Sequence, residues 1–252
     1  MIRLSVVIIT FNEEHNIERC LNSLLGVADE IIVVDSHSTD RTKEICNKHG
    51  VKFFEHPFEG HIEQKNYACS LTTFDHILSV DADEALSPEL KDEILKLKSD
   101  WQKDGYYINR LTNYCGKWIR HCGWYPDRKL RLFIKGKGIW AGFNPHDMLQ
   151  LNDDNNSARL SGDLLHYSYY SIEGHLMQVN KFTTIGAEVA FKNGQRSSIL
   201  IMIFKPVIRF IRDYFFHLGF LDGHYGFVIC RISANAKFIK YVKLYRLQKN
   251  KS

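Results

Sequence analysis

The chain has 252 residues, 44% of them hydrophobic and 25% charged, with a formal net charge of +4. These values allow one well-packed core near the upper size for a single domain, and they exclude a disordered, collagen-like or coiled-coil chain. The six cysteines (Cys20, Cys46, Cys69, Cys115, Cys122 and Cys230) are scattered without a C-x-x-C pair, so they read as reduced thiols of a cytosolic protein.

The apolar run from Leu4 to Phe11 follows Arg3, but it is short for a secretory signal. Glu13 and Glu14 follow at once, and no small-residue cleavage site appears. Its near-continuous β-branched stretch, Leu4-Ser-Val-Val-Ile-Ile-Thr10, predicts a strand covered on both faces. Ile17, Cys20, Leu21 and Leu24 then fall on one helical face, with Asn12 placed as its cap. Residues 30–35 predict a second buried strand, 39–49 a helix closed by Gly50, 51–55 a third strand, 61–70 a third helix and 77–81 a fourth strand. Ser87-Pro88-Glu89 opens another helix with cap, first-turn proline and first-turn acid in order. This alternation builds a parallel sheet with helices on both faces.

Beyond Gly105 the grammar changes. Residues 106–111 and 129–134 read as strands around a loop rich in Trp, Tyr, Gly and Cys, and from Ser171 the pattern is helical again. Gly136-x-Gly138-x-x-Ala141 fits a relaxed dinucleotide fingerprint, but it leads into Trp140-Ala-Gly-Phe143 and Pro145 rather than a helix, so it reads as a turn. Cys115, His121 and Cys122 raise a zinc question; a second ligand pair is missing, and packing accounts for them better.

In an open parallel sheet, ligands bind at the carboxyl ends of the strands. Strand one ends in Thr10-Phe11-Asn12-Glu13, strand two in Asp35-Ser36-His37-Ser38 and strand four in Asp81-Ala82-Asp83-Glu84. Asn12 or Ser38 alone is explained by helix capping, but acids at three strand ends are harder to explain that way. Asp81-x-Asp83 is the sharpest of these elements: two carboxylates one residue apart, just past a buried strand, suit a hard cation such as Mg²⁺ or Mn²⁺ bridging to a diphosphate.

The segments Leu4 to Glu14, Val33-Val-Asp35-Ser36-x-Ser38-Thr39-Asp40, Gln64-Lys65-Asn66 and Asp81-Ala82-Asp83-Glu84 resemble the family-2 glycosyltransferases of the GT-A fold. Trp124-Tyr125-Pro126-Asp127, Leu130-Arg131-Leu132-Phe133, Leu165-His166-Tyr167-Ser168 and Gly219-Phe220-Leu221-Asp222-Gly223 resemble a narrower branch, the lipopolysaccharide-core glucosyltransferases of the β-1,4 type. The likeness runs from Leu4 to about Leu247. It implies an α/β GT-A fold, Rossmann-like and mostly parallel with helices on both faces, over residues 1–170. Residues 1–100 would bind the nucleotide sugar and 101–170 the acceptor, with a helical extension over 171–252.

The resemblance also implies roles. Thr10, Asn12 and Glu13 would line the nucleoside pocket, Asp35 would hydrogen-bond the base, and Lys65 would lie near the ribose or diphosphate. Asp83 would hold the metal, with Asp81 on the nucleoside side and Ala82 between them at the donor. Inverting transfer needs a base for the acceptor hydroxyl. In the branch that acid follows a histidine in a His-Glu pair; here the segment reads Asn144-Pro145-His146-Asp147, which assigns Asp147 and puts His146 beside the substrate. Asp for Glu shortens the reach by one methylene. Asp127 is the second choice.

After Asp222 the chain has no acidic residue, while Arg231, Lys237, Lys240, Lys243, Arg246, Lys249 and Lys251 are basic. Ile199-Leu-Ile-Met-Ile-Phe204 is wholly apolar, but far short of a bilayer span, and Lys205-Pro206 is expected to stop it. Val207, Ile208, Phe210, Ile211, Tyr214, Phe215 and Leu218 mix with Lys205, Arg209 and Arg212, as in a helix lying in a membrane interface. Phe238, Ile239, Tyr241, Val242, Leu244 and Leu247 continue the pattern; the competing reading packs these stripes on the core. Large aliphatics among the cations argue against nucleic acid.

The expected protein is a metal-dependent inverting hexosyltransferase. It would use a UDP-sugar on a lipid-linked or lipopolysaccharide-core acceptor, and sit peripherally on the inner face of the cytoplasmic membrane. A nucleotidyltransferase and a non-catalytic sugar-nucleotide-binding protein are the alternatives. The first would want a Gly- and Lys/Arg-rich opening loop, where this chain has Thr10-Phe-Asn-Glu-Glu14.

Overall fold

In the computed structural model, β1 (Leu4–Thr10) is buried along nearly its whole length, as its β-branched run demands. The structure describes residues 1–143 and 146–250, without the side chains of Phe143 and His146. They fall into two units, Met1–Leu111 with Asp127–Tyr167, and Thr112–Pro126 with Ser168–Ser252.

The first unit opens with the anticipated alternation: β1, α1 (Ile17–Leu24), β2 (Glu30–Asp35), α2 (Thr42–Lys48), β3 (Lys52–Glu55), α3 (His61–Ser70) and β4 (His76–Asp81). A short β5 (Glu84–Leu86) and α4 (Pro88–Leu97) follow, then β6 (Gly105–Tyr114). Next in chain order are β7 (Lys117–Ile119), β8 (Asp127–Ile134), β9 (Gly138–Phe143), β10 (His146–Leu151) and β11 (Ser157–Tyr169). The main sheet runs β3-β2-β1-β4-β8-β6-β11-β5. β3, β2, β1 and β4 pair in parallel, whereas β8 lies antiparallel to both β4 and β6, and β11 antiparallel to β5. The parallel half carries the βα crossovers; beyond β4 the sheet is mixed, with β8 reversed against both its neighbours and β5 reversed against β11. Leu4, Val6, Ile8, Ile17, Leu21, Leu78 and Ile94 form one buried cluster, and Val7, Ile32, Val34, Ile77 and Phe133 another.

Three local expectations change. Asn12 does not cap α1, which begins after Asn16; it takes a left-handed conformation (φ 54°), and its Oδ1 accepts from Thr39 N at 2.8 Å. α2 starts at Thr42 rather than Thr39 because Asp40 Oδ1 accepts from Thr42 N and Oγ1 at 2.9 and 2.6 Å, closing a turn ahead of the helix. Ser38 is drawn into that loop and caps no helix. The Gly136 segment is a turn (φ 79°) that leads into β9, paired with β10 in a two-stranded sheet.

In the second unit β7 pairs with the end of β6, and α5 (Ile172–Lys192), α6 (Ile199–Ile211) and α7 (Gly223–Lys249) supply the helices. Tyr114 is fully buried, its hydroxyl 3.0 Å from His175 Nδ1. Cys122 packs with Tyr114, Ile119, Ile229 and Cys230, while His121 Nδ1 lies 3.1 Å from Asp222 Oδ1. Asp222 also accepts from His121 N at 2.8 Å, which gives the Gly219–Asp222 turn a structural task. A Cβ on Gly226 would stand 1.9 Å from Gly219 O, so α7 passes that turn at a distance only glycine permits. α6 runs through Lys205-Pro206 instead of stopping there.

Candidate active site

Strand register explains why polar residues far apart in sequence share one rim. Thr10 is level with Asp35 across β1–β2, and Ile9 is level with Asp81 across β1–β4. The parallel strands thus end together, and the loops after β1, β2 and β4 meet above them. Glu13 N donates to Thr42 Oγ1 at 2.9 Å, Glu14 N to Asp40 Oδ2 at 3.0 Å and Asn12 N to Ser38 Oγ at 2.8 Å. These bonds lock the first loop to the second.

Asp35 is buried, and both its oxygens serve Ser38: Oδ2 accepts from Ser38 N at 2.7 Å and Oδ1 from Ser38 Oγ at 2.5 Å. It therefore shapes the second loop. Thr10 Oγ1 is buried and has no hydrogen-bond partner among the described residues. Ala82 is buried in the core, between the two acids of the Asp81-x-Asp83 segment. Burial raises Glu13 above the usual carboxylate range; a hydrogen bond from Asn16 opposes this, and the charges of Asp83, Asp40 and Asp81 reinforce it.

α3 carries three consecutive polar residues with distinct tasks. Gln64, fully buried, donates to Ser36 Oγ at 3.1 Å and meets His56 Nδ1 at 2.9 Å, gripping the second loop. Asn66 exchanges hydrogen bonds with the backbone of Trp140 on β9, at 2.9 and 3.1 Å. Between them Lys65 reaches Asp81 Oδ1 at 3.0 Å and Asp147 Oδ2 at 2.8 Å, with its ammonium 4.2 Å from the Trp140 ring centroid. The β9–β10 hairpin, clamped by Asn66, thereby brings Asp147 to the rim. The His146 side chain and Asn144-Pro145 lie outside the described residues.

Asp81 is held from its other side by Arg131 on β8, whose Nη2 lies 2.8 Å from both Asp81 Oδ2 and Glu84 Oε1. Burial works against the Asp81 charge, but Arg131 and Lys65 outweigh it and hold its carboxyl well below the usual range. Glu84 is wholly buried, and desolvation leaves its carboxyl raised in spite of Arg131. Asp81 thus has one oxygen on Lys65 and the other on Arg131. Asp83, the other acid of the expected metal pair, has its Oδ2 3.1 Å from Nε2 of His166 on β11. The β11–β5 register fixes this contact, since His166 lies opposite Glu84 and Tyr167 N donates to Asp83 O at 2.9 Å.

Asp127 opens β8 and is bonded by Arg110 Nη2 at 2.7 Å and Lys129 Nζ at 3.1 Å. Burial opposes its charge, but those two cations outweigh it and hold the carboxyl below the usual range, which suits a structural anchor better than a base. Sequence reasoning assigned no role to Arg131, Glu84 or His166. The signal for Arg131 is a guanidinium inside an otherwise apolar strand, Leu130-Arg-Leu-Phe133, where a buried charge requires a partner.

A lysine flanked by carboxylates thus stands on the rim where open α/β sheets bind their ligands. The family model for glycosyl transferase family 2 matches residues 5–151. The chain belongs to that family. An uncharacterized glycosyltransferase of Rickettsia typhi is 33% identical over 257 residues, covering 98% of this chain and 88% of that one. The lipopolysaccharide core biosynthesis glycosyltransferase LpsC of Rhizobium meliloti is 29% identical over 255 residues, covering 96% and 92%. Among solved structures, S. aureus TarS 1–349 in complex with UDP-GlcNAc is similar at a TM-score of 0.47 and 15% identity, covering 99% of this chain and 92% of that one. This glycosyltransferase joins the parallel strands β3-β2-β1-β4 to a mixed half of the sheet whose antiparallel pairings deliver Arg131 and His166. No helix among its described residues is long and apolar enough to cross a membrane.

Proposed function

We propose that this glycosyltransferase moves a hexose, glucose by its branch resemblance, from a UDP-sugar to a lipid-linked or lipopolysaccharide-core saccharide, with inversion. In this reading it works at the inner face of the cytoplasmic membrane. The observation that carries the proposal is the Asp81–Lys65–Asp147 chain beside the Asp83–His166 pair on one rim. Lys65 supplies a charge for the diphosphate, and Asp147, positioned by Lys65, takes the acceptor proton. Thr10, Asn12 and Glu13 form the wall for the nucleoside, with the second loop held in shape by Asp35. The likeness to a lipopolysaccharide core biosynthesis glycosyltransferase supports the acceptor class.

The residues present fit a divalent cation. Glu13, Asp81 and Asp83 crowd negative charge at the rim, and Asp83 with His166 offers an oxygen and a nitrogen donor side by side. Mg²⁺ and Mn²⁺ need only one or two protein ligands when substrate phosphates complete the shell. Asp83 and His166 would hold the ion, which would offset the charge of the departing diphosphate.

The test is UDP release from a panel of UDP-sugars with Mg²⁺, Mn²⁺ or EDTA, beside Asp83→Ala and His166→Ala. Release with one donor, abolished by EDTA and by either variant, is the expected result. Release that ignores EDTA would remove the metal from the scheme. Failure to bind UDP in calorimetry would remove the donor.

A further inference from the structure

α6 is turned inside out relative to an ordinary surface helix. Ile199, Leu200, Ile203, Phe204, Val207, Ile208 and Ile211 recur at helical spacing, and all are exposed, Leu200 to 66%. No residue of the helix is fully buried; Met202, Arg209 and Phe210 are half-buried on the inward side, where Phe210 packs near Tyr214. The apolar surface continues past the helix through Phe215, Phe216, Phe220 and Leu221, with Phe216 76% exposed. α7 behaves in the opposite way: Leu244 is fully buried, with Tyr241 and Leu247 packed around it against α5. Of the two C-terminal apolar patterns, the α7 one therefore puts Leu244 into a core, with Phe238 and Val242 left exposed, and the α6 one faces outward. A contiguous exposed patch of large aliphatics marks a surface that meets something apolar.

The charges say what that something is. Lys205 and Arg212 are exposed along one border of the stripe. Lys237 on α7 is pulled below the ordinary lysine value by burial and then by repulsion from Lys240, Arg209, Arg212 and Lys205, so five cations crowd together. From residue 189 onward the only acids are Asp213 and Asp222, both buried, and Asp213 is already bonded by Arg209 and Arg212. A second copy seated face to face would press these cations on one another with no acids to answer them. A nucleic acid would answer the cations but leave the aliphatics in water.

We infer that the outward stripe of α6, continued through Phe216 and Leu221, is an in-plane membrane anchor that inserts into an anionic lipid surface with Lys205 and Arg212 at the headgroups. The inference extends the reading of a lipid-linked acceptor but stands on a different surface, so the two can fail separately.

The experiment is flotation of the full chain with vesicles of phosphatidylcholine alone and of phosphatidylcholine mixed equally with phosphatidylglycerol. A Leu200→Ser/Phe204→Ser variant and a Lys205→Glu/Arg212→Glu variant run in parallel, each checked for unchanged UDP affinity and a circular dichroism spectrum like wild type. The expected result is binding to the mixed vesicles, weakened at least roughly tenfold in the serine variant. In the glutamate variant, and at high salt, binding falls toward the level on phosphatidylcholine alone. No binding to either vesicle, or binding untouched by the serine pair, would overturn the inference. So would a dimer in sedimentation that the serine pair dissolves. Vesicle binding without donor turnover would leave the anchor standing and count against the transferase chemistry alone.

Discussion

The Lys65 ammonium donates to Asp147 Oδ2 at 2.8 Å, joining residues 82 apart in sequence. Asp81 Oδ1 sits on the same ammonium at 3.0 Å, so one cation sets the positions of two carboxylates from different strands. Lys65 is nearly buried, and neither α3 nor the β9–β10 hairpin would carry these charges at this depth without the other.

Lys65→Met leaves Asp147 and Asp81 facing one another with no charge between them. Breaking a buried pair in this way costs about 3 kcal/mol. Urea unfolding should show the loss, and Lys65→Met/Asp147→Asn should recover part of it, since the second change removes the stranded charge. A single variant as stable as wild type would mean the pair is solvated and its geometry is held by other contacts.

Arg131 presents a stronger case, because its Nη2 serves both Asp81 and the wholly buried Glu84. Arg131→Met should cost about 3–5 kcal/mol by stranding a buried carboxylate. Glu84 is already raised by desolvation, so in the variant it should take up a proton, and stability should then decline as pH rises through its titration. A melting-temperature series against pH, wild type beside Arg131→Met and Arg131→Met/Glu84→Gln, reads this directly. The double variant should lose the new pH dependence.

The parallel half was legible because its signals are local. β-branched runs mark β1 and β2, and Ser87-Pro88-Glu89 marks the start of α4, where Ser87 Oγ accepts from Leu90 N at 3.1 Å. The meeting of strand ends followed from topology alone. Asp83–His166 and Asp81–Arg131 depend on antiparallel pairings between segments 50 or more residues apart, and no local period encodes these. The late start of α2 was hidden for a different reason: the Asp40 carboxylate competes with the helix for the Thr42 amide. Periodicity also shows that α6 has a stripe, yet the side it faces is decided by what packs beneath it.

Glu30 ties β2 to the loop before β4, accepting from Ser5 Oγ and Thr73 Oγ1 at 2.6 Å each and from Lys52 at 2.5 Å. Burial opposes its charge, but Lys52, Ser5 and Thr73 outweigh it and hold the carboxyl at about 2 against an ordinary 4.5. The folded chain therefore binds this proton less readily than the unfolded one. Its stabilisation is complete above pH 4.5 and is lost as pH falls toward 2. Glu30→Gln should lower stability at neutral pH by roughly 2 kcal/mol, Lys52 being half-exposed. It should also flatten the acid limb of a urea-midpoint profile. An unchanged acid limb would assign that limb to other carboxylates, Asp81 first.

Asp147 and Asp127 divide the candidates for the acceptor base, and their surroundings differ. Asp127 is bonded by Arg110 and Lys129, which outweigh its burial and leave it little tendency to take a proton. Asp147 stands on the hairpin beside Lys65, where a donor diphosphate would compete for that ammonium and release the carboxylate toward the acceptor. Asp147→Asn should then lower kcat by about 10²–10⁴-fold. UDP affinity should hold, because the amide keeps the size of the side chain and Lys65 keeps Asp81. Asp127→Asn should weaken the anchor at the start of β8 while leaving kcat within roughly tenfold, well short of the loss expected for a general base. Steady-state rates with a lipid-linked acceptor and UDP calorimetry on both variants separate the cases. UDP binding that disappears with turnover in Asp147→Asn would make Asp147 a donor-site residue, and a larger kcat loss in Asp127→Asn would move the base to β8.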